Sequence, residues 1–552
     1  MMMLFKRETA VVLTLSVIFL LLASWKLGLN EIPSSGWMAS ETAQVIVDLR
    51  SQMDVHEVIF MVQTDELHLE ISSGAPGSWE KNIEASIEGY NQWRRVSVDS
   101  LTRFLRINFQ RSEGEILEII ITGEDGRISE PMVRGEDNRS DSFEALTDEQ
   151  NLVQFPLTYL SESIFDEVYY VRAAVDYLSR RDPYEDTHPP LGKLIIASGI
   201  SLFGNNPFGW RITGVLFSSA MIPVIYLLGK EISGLWLGGL FSALLFGFDF
   251  MRFTMGRMAT IDTFLVFFSI ASLLFFYRYL KKVLKEGWGA SLWPLFAAII
   301  LSSLSFATKW TAAFGLTAQF FTLGLIRFGF IRHEDGKKHA GEINKNVFLI
   351  LLGLIATFLL VYSLTYMPYI SLGHSWKDVF ERQLYMLSYH SGLEVGHDFS
   401  SPWWSWPLLS RPVWLYISRI GNAWASTIVA MGNPTIWWIG LVVMIDETFR
   451  MVKERFYSQV FLVVMFVLQW LPFVLISRSL FLYHYYPNVP ILCLVISGRM
   501  VSVWNKKKKR INIILYFLIV ASVFALYYPV ITGIPIYNSL RSVLRILKGW
   551  SF

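Results

Sequence analysis

The sequence predicts an α-helical polytopic membrane protein of about eleven transmembrane helices, with an extracytoplasmic, jelly-roll-like β-sandwich inserted after the first helix. Three observations predict this class. Of 552 residues, 53% are hydrophobic and 17% are charged, against about 25% charged in a soluble domain; mean hydropathy is +0.40. The apolar residues gather in blocks long enough to cross a hydrocarbon core of about 30 Å. Between residues 30 and 160 the pattern changes to alternation, as at Val45, Val47, Leu49 and at Leu105, Ile107, Phe109, the period of half-buried strands. The formal net charge of +2 gives no footing for a nucleic-acid partner. A single cysteine, Cys493, excludes an internal disulfide and sits in an apolar run, where a buried thiol is expected.

Residues 1–29 form the first span. Lys6 and Arg7 precede its apolar run and put the N-terminus in the cytoplasm. A cleaved signal peptide is the alternative, but no clear small-x-small cleavage site follows. Residues 30–150 are the β domain, with turns at Gly74–Gly77 and Glu124–Gly126; Asn138-Arg-Ser140 fits a glycosylation sequon, a triplet common by chance. Residues 151–210 form an outer loop with interfacial helices, and 211–530 the transmembrane core, with spans near 211–229, 233–249, 259–279, 291–307, 311–327, 347–369, 433–448, 458–477, 486–503 and 511–530. With this count the basic loops at Lys230, Lys281–Lys285, Arg327–Lys345, Arg450–Arg455 and Lys506–Arg510 all fall on the cytoplasmic side. Counting 191–203 as a span would break that rule, so it is read as an apolar helix at the outer interface. The Lys506–Arg510 run is a charged cap between two spans. The tail 531–552 ends outside. Long outer loops at 30–210 and 371–432 put the chemistry on the extracytoplasmic face.

Residue types that carry chemistry cluster in those outer loops. Asp166 and Glu167 lie ahead of Thr187-His188-Pro-Pro-Leu-Gly-Lys193. Neighbours on a helix diverge by about 100°, so one acid can face a substrate while the other orients or pairs. Asp262 falls at the start of a span, where a lone carboxylate costs about 2.5–3.5 kcal/mol; Arg257 is its expected partner. Lys309-Trp310 is either a snorkelling interface pair or a lysine aimed at a lipid phosphate. Trp403, Trp404 and Trp406 are either a membrane-surface anchor or a stacking platform for sugar or acceptor. His390, Glu394 and His397 have a spacing that suits a metal on one helical face, but Gly392 and Gly396 argue against a helix there.

In this order the motifs resemble the protein O-mannosyltransferase family of the C-type membrane glycosyltransferases. The resemblance runs from about Phe165 to Tyr528. It is carried by Phe165-Asp-Glu-Val168, His188–Lys193, Trp210-Arg211, Arg257 with Asp262, Lys309-Trp310, His397–Pro407, Gly432-Asn-Pro434 with Trp437-Trp438, and His484-Tyr-Tyr-Pro487. The lipid A aminoarabinose transferases share an acidic pair and a Pro-Pro-Leu, but not the His before it or the tryptophan-rich loop. The β domain, from Trp93 to Gly126, looks like a discoidin or galactose-binding type jelly roll. The family resemblance implies eleven spans, a polyprenyl- or dolichyl-phosphate sugar donor, inverting transfer to Ser or Thr, Asp166 as acid–base residue, and neither metal nor cofactor. The loop 371–432 has no room for the trefoil domain of the eukaryotic enzymes. The overall form therefore looks prokaryotic or archaeal, and a lipid or glycan acceptor stays open beside protein.

Catalysis needs a base for the acceptor hydroxyl and cations for the departing phosphate. The expected phosphate group is Arg211, His188, Lys193, Arg257, Lys309, Arg478 and His484. Expected contacts of sugar or acceptor are Asp262, His397, Trp403, Trp404, Trp406 and Tyr485. Membrane lipids are the other expected partner. The β domain either binds acceptor or covers the site. A transporter or flippase is the rival of another class, but polar residues cluster at outer boundaries rather than in mid-span. A non-catalytic receptor would leave the motif-bearing loops without purpose.

Overall fold

The computed structural model describes residues 2–39, 43–110, 114–124, 126–128, 131–135, 143–331, 347–392 and 396–552. The Asn138–Ser140 sequon, Glu394 and most of the basic loop before Lys345 lie outside them. The chain divides into two compact units. One holds residues 1–25, 173–201 and 210–552; the other holds 26–172 and 202–209.

The first unit is helical. Its helices are α1 (Met2–Ser24), the second half of α2 (Glu167–Leu178), α3 (Leu191–Phe203), α4 (Pro207–Ser233), α5 (Trp236–Gly247), α6 (Phe250–Gly256), α7 (Asp262–Glu286), α8 (Trp293–Phe306), α9 (Ala312–Arg327), α10 (Val347–Leu364), α11 (Met367–Ser371), α12 (Trp376–Gly392), α13 (Pro434–Glu454), α14 (Tyr457–Trp470), α15 (Val489–Val503), α16 (Lys507–Thr532) and α17 (Asn538–Val543). Every segment expected to span coincides with a helix. Among the described residues six helical stretches are long and apolar enough to cross a bilayer: Pro207–Ser233, Asp262–Glu286, Val347–Leu364, Tyr457–Leu475, Leu482–Val503 and Lys507–Thr532. The pair α5 and α6, bent by 62°, makes a seventh if it is one span. α3, with 13 residues, is one of the shorter apolar helices, together with α8 and α9.

Several polar groups inside this unit pair with one another, which suits a hydrocarbon surrounding. Ser272 Oγ meets Ser302 Oγ at 2.8 Å and takes Gln319 Nε2 at 2.9 Å, joining α7, α8 and α9. At the break between α5 and α6, buried Arg252 donates to Phe246 O at 2.8 Å and Gly247 O at 2.7 Å, carbonyls the break leaves without helical partners. Asp249 caps α6 through Arg252 N and accepts Trp437 Nε1 at 2.8 Å. The Gly432-Asn-Pro434 motif is therefore structural. Asn433 caps α13, and a Cβ on Gly432 would lie 2.0 Å from the Trp437 ring. Cys493 is buried and unpaired with any other cysteine.

In the loop 371–432, α12 carries His390 and ends at Gly392, a position where glycine costs little; residues 396 and 397 are not helical. The rest holds a hairpin that alternation did not announce, β7 (Val413–Ile420) and β8 (Trp424–Ala430), joined by β9 (Ile536–Tyr537) from the tail. The tail is thus an integral part of the unit.

The second unit is a six-stranded sheet of β1 (Trp37–Ala39), β2 (Gln44–Ala75), β3 (Ser78–Gln110), β4 (Gly114–Gly123), β5 (Gly126–Ile128) and β6 (Met132–Gly135), ordered β1-β4-β2-β3. β2 and β3 are 32 and 33 residues long. They bend so that residues 68–74 of β2 pair with both 79–86 and 104–110 of β3. The sheet folds over a core that includes Val45, Val47, Phe60, Leu105 and Ile107, the alternating residues read from the sequence.

Candidate active site

Glu185, His188 and Lys193 fold into one knot. Lys193, in the first turn of α3, is 1% exposed. Its ammonium donates to Glu185 Oε2 at 2.7 Å, Glu185 O at 2.8 Å and His188 O at 2.8 Å. All three donors of an ammonium are thereby used. Lys193 was expected on the donor phosphate; instead it fastens the loop before α3. The Pro-Pro-Leu-Gly run fits this role. Leu191 N donates to Ala307 O at 3.1 Å, and a Cβ on Gly192 would lie 2.4 Å from Ile261.

The same carboxylate orients a histidine. His188 Nδ1 lies 2.9 Å from Glu185 Oε1, so Nδ1 carries the proton and Nε2 the lone pair. Burial alone would raise the Glu185 carboxyl, but the Lys193 ammonium and His188 hold it well below the usual carboxylate range. Burial pushes His188 down, against the pull of Glu185, and the ring is neutral at pH 7. Its edge meets His390, with ring centres 5.0 Å apart. His390 Nε2 donates to Thr187 O at 2.8 Å, and Arg478 Nη1 lies 3.1 Å from His390 Nδ1. Those partners fix the neutral Nε2–H tautomer, since the carbonyl only accepts and the guanidinium only donates. Burial, His188 and Arg478 bring the His390 pKa down to about 4. The unfolded chain binds this proton first, so stability falls as pH drops from about 6.5 toward 4. Thermal melts across that window are expected to show a shallower fall for His390→Gln than for the wild type.

These groups line a cavity of about 370 Å³, with Thr187, His188, Lys309, Trp310, His390 and Arg478 on its polar side and Phe314, Leu387, Leu475 and Ile476 on its apolar side. Lys309 is buried, so snorkelling does not describe it. Its ammonium lies 2.9 Å from Asp262 Oδ1 and 5.5 Å over the Tyr483 ring. Arg257, the expected partner of Asp262, does other work. It donates to Ala23 O, to Trp25 O at 2.9 Å and to Thr532 O at 3.5 Å. α1 and α16 end there, and helix ends leave carbonyls without partners. A cavity with guanidinium, ammonium and imidazole at one side and aliphatic groups at the other suits a phosphate joined to a hydrocarbon chain.

Of the expected cations, the structure brings His188, Lys309 and Arg478 together on this cavity. His484 is 7% exposed; its Nδ1 takes Phe481 N at 3.1 Å and its ring stacks on Tyr483 and Trp406. Arg211 is buried near the start of α4. The tryptophans divide. Trp406 is fully buried against Phe473, its Nε1 bonded to Ser401, so it cannot stack on a sugar. Trp403 packs on Trp470, and only Trp404, 58% exposed, can play the surface role. Tyr485 is likewise a core residue, packed on Trp437. His390 and His397 serve different partners, His397 packing on Phe399 and Phe481. Trp406→Ala is expected to cost about 3–5 kcal/mol of stability, and Trp404→Ala about 0.5 or less, read by thermal unfolding in detergent.

Asp166 belongs to the second unit. It immediately precedes α2, and its carbonyl accepts Tyr169 N at 3.1 Å. Phe165 before it takes the left-handed conformation, φ +50°. The β domain holds this segment from behind. Ser163 N donates to Asn91 O at 2.8 Å, Gln92 Nε2 to Ser163 O at 3.1 Å, Trp93 N to Glu162 Oε2 at 3.2 Å and Trp93 Nε1 to Ser161 Oγ at 3.2 Å. Glu167 is buried, and its Oε2 accepts Ile164 N at 3.0 Å, so of the acidic pair it is the one that shapes the backbone. Sequence reasoning missed Glu185 and the role of His390. The spacing Glu185-x-x-His188 was the available signal for the first.

Comparison with known proteins fits this geometry. Residues 187–362 match the family model described as dolichyl-phosphate-mannose-protein mannosyltransferase. Residues 375–550 match the C-terminal four TMM region of protein-O-mannosyltransferase. All the cavity residues fall inside these two segments. The polyprenol-phosphate-mannose–protein mannosyltransferase of Mycobacterium tuberculosis is 25% identical over 463 residues, covering 71% of this chain and 88% of that protein. The protein of the same name from Corynebacterium glutamicum is 23% identical over 474 residues, covering 70% and 88%. The fold matches that of the S. cerevisiae protein O-mannosyltransferase Pmt1–Pmt2 complex bound to the sugar donor, with a TM-score of 0.59 at 13% identity over 71% of this chain and 89% of that one. With both stretches of its membrane core matching one family in order, and with relatives aligned over most of their own length, the chain belongs to the protein O-mannosyltransferase family.

Proposed function

We propose that this chain is a mannosyltransferase that moves mannose from a polyprenyl-phosphate carrier to a Ser or Thr hydroxyl of protein on the extracytoplasmic face. The observation that carries the reading is the cavity in which Lys309, Arg478 and a neutral His188 face one side and Phe314, Leu475 and Ile476 the other. That pairing fits a phosphate with an isoprenoid tail. The names of the relatives supply mannose and protein as donor sugar and acceptor.

In the proposed reaction the acceptor oxygen attacks the anomeric carbon as the bond from that carbon to the phosphate oxygen breaks, with inversion. Asp166 takes the hydroxyl proton; a carboxylate with a reference pKa of about 3.9 is ionised at pH 7. The polyprenyl phosphate leaves as a dianion whose charge the cavity cations stabilise. The reading keeps eleven spans, a cytoplasmic N-terminus, an outer C-terminus and a jelly-roll-like β domain over 30–150. It gives that domain a purpose in holding residues 161–163 beside Asp166. Purified protein supplied with polyprenyl-phosphate mannose and glucose in parallel, and with Ser/Thr peptide or lipid acceptor, tests it. Label is expected on the peptide from the mannose donor. Label confined to lipid would move the acceptor assignment to that class.

A further inference from the structure

The last outer segment carries positive charge that the proposed reaction does not use. α16 ends at Thr532, with Gly533 as its left-handed cap, and the chain enters β9 within three residues. β9 pairs with β8 through Trp424↔Tyr537 and Ala425↔Ile536, and β8 with β7 through Arg419↔Ala425. Asn538 N donates to Ala423 O at 2.9 Å, which sets α17 against the hairpin end. Arg419 on the hairpin and Arg541 and Arg545 on and after α17 are thereby gathered at the mouth of a membrane-crossing helix.

Two features make this more than a solvated basic surface. Arg541 Nε and Nη1 are buried and have no hydrogen-bond partner, a costly state for guanidinium donors unless a ligand supplies the acceptors. No Asp or Glu forms an ion pair with Arg419, Arg541 or Arg545 among the described residues; Arg545 Nε donates to Phe552 O. Burial and the charges of Arg545 and Arg419 push the Arg541 pKa below its ordinary value. Around them Tyr537 is 51% exposed, Leu540 42%, Val543 73% and Ile546 54%. Apolar side chains beside arginines describe a segment lying in the lipid interface.

We propose that Arg541, with Arg419 and Arg545, binds the phosphate of an anionic membrane phospholipid, whose acyl chains lie along Leu540, Val543 and Ile546. A planar guanidinium offers two parallel donors to two phosphate oxygens. The exposed aliphatic residues select a lipid over free phosphate. The charges of Arg541 and Arg419, which no carboxylate side chain pairs among the described residues, select an anionic head group over a zwitterionic one.

The test uses the full-length protein in dodecyl maltoside, titrated with short-chain phosphatidylglycerol, phosphatidylcholine or inorganic phosphate and followed by native mass spectrometry. Saturable binding of phosphatidylglycerol is expected. Arg541→Gln should weaken it about tenfold, the loss of one charge-assisted pair, with mannosyl transfer in detergent unchanged. Arg419→Gln, on an exposed strand, should weaken it less and provides the reading should the first variant misfold. Equal binding by wild type and both variants overturns the proposal. So does phosphatidylcholine binding as tightly as phosphatidylglycerol, or inorganic phosphate displacing the lipid at the lipid's own concentration.

Discussion

Asp166→Asn is expected to lower the rate of mannosyl transfer by about 10²–10⁴-fold, the worth of a positioned general base, while the protein still inserts and folds. Asparagine is nearly isosteric and lacks only the charge that accepts the proton. The carbonyl of residue 166 still receives Tyr169 N, and residues 161–163 remain bonded to Asn91, Gln92 and Trp93. The loss should therefore appear in kcat, with donor binding kept, as measured by label transfer and donor titration on the same preparation. A variant retaining more than about a tenth of the wild-type rate would remove Asp166 from the base role.

Glu185→Gln should produce a large loss of stability. The substitution leaves the Lys193 ammonium, 1% exposed, without its counter-charge, and removing one partner of a buried pair costs about 3–5 kcal/mol. It also leaves a single amide oxygen where the carboxylate served both Lys193 Nζ, 2.7 Å away, and His188 Nδ1, 2.9 Å away, so His188 is held less firmly and kcat should fall along with the melting temperature. The double variant Glu185→Gln/Lys193→Met removes both charges. It should recover much of the stability, because the penalty comes from the stranded ammonium rather than from loss of the pair as such. It should recover only part of kcat, since a neutral amide oxygen replaces the charged carboxylate as the partner of His188 Nδ1 and makes a weaker hydrogen bond. Thermal melts and initial rates of the two variants together separate these effects. Full recovery of both quantities would show that Glu185 serves the loop alone.

The membrane helices were legible because their cause is local. Apolar blocks such as Val347–Leu364 name themselves, and α10 keeps only Leu354 buried, as a lipid-facing helix should. The strands of the β domain were legible for the same reason, since Val45, Val47, Leu105 and Ile107 alternate as they do in the core. What was not legible depended on partners distant in the chain. Arg257 reads as a mate for Asp262 five residues on, yet it serves carbonyls of Ala23, Trp25 and Thr532, groups that every residue carries and no pattern marks. Asp262 instead finds Lys309, 47 positions away. Trp403, Trp404 and Trp406 look equivalent in sequence, but the 3₁₀ turn over Trp403–Leu408 sends Trp406 inward and leaves Trp404 out. The tail strand Ile536–Tyr537 pairs with the hairpin at 413–430 from far along the chain. Of the candidate site, the motif His188–Lys193 was visible in the sequence, but not that Lys193 bonds to Glu185 and to His188 O.

The central claim is that one lipid-linked sugar is cleaved for each hydroxyl glycosylated. Mass spectrometry of a reaction containing the purified protein, polyprenyl-phosphate mannose and a Ser/Thr peptide measures this directly. The account predicts mannosyl-peptide and polyprenyl phosphate appearing in equal amounts with negligible release of mannose. Donor left intact, or consumed with mannose released to water and the peptide unmodified, would contradict it.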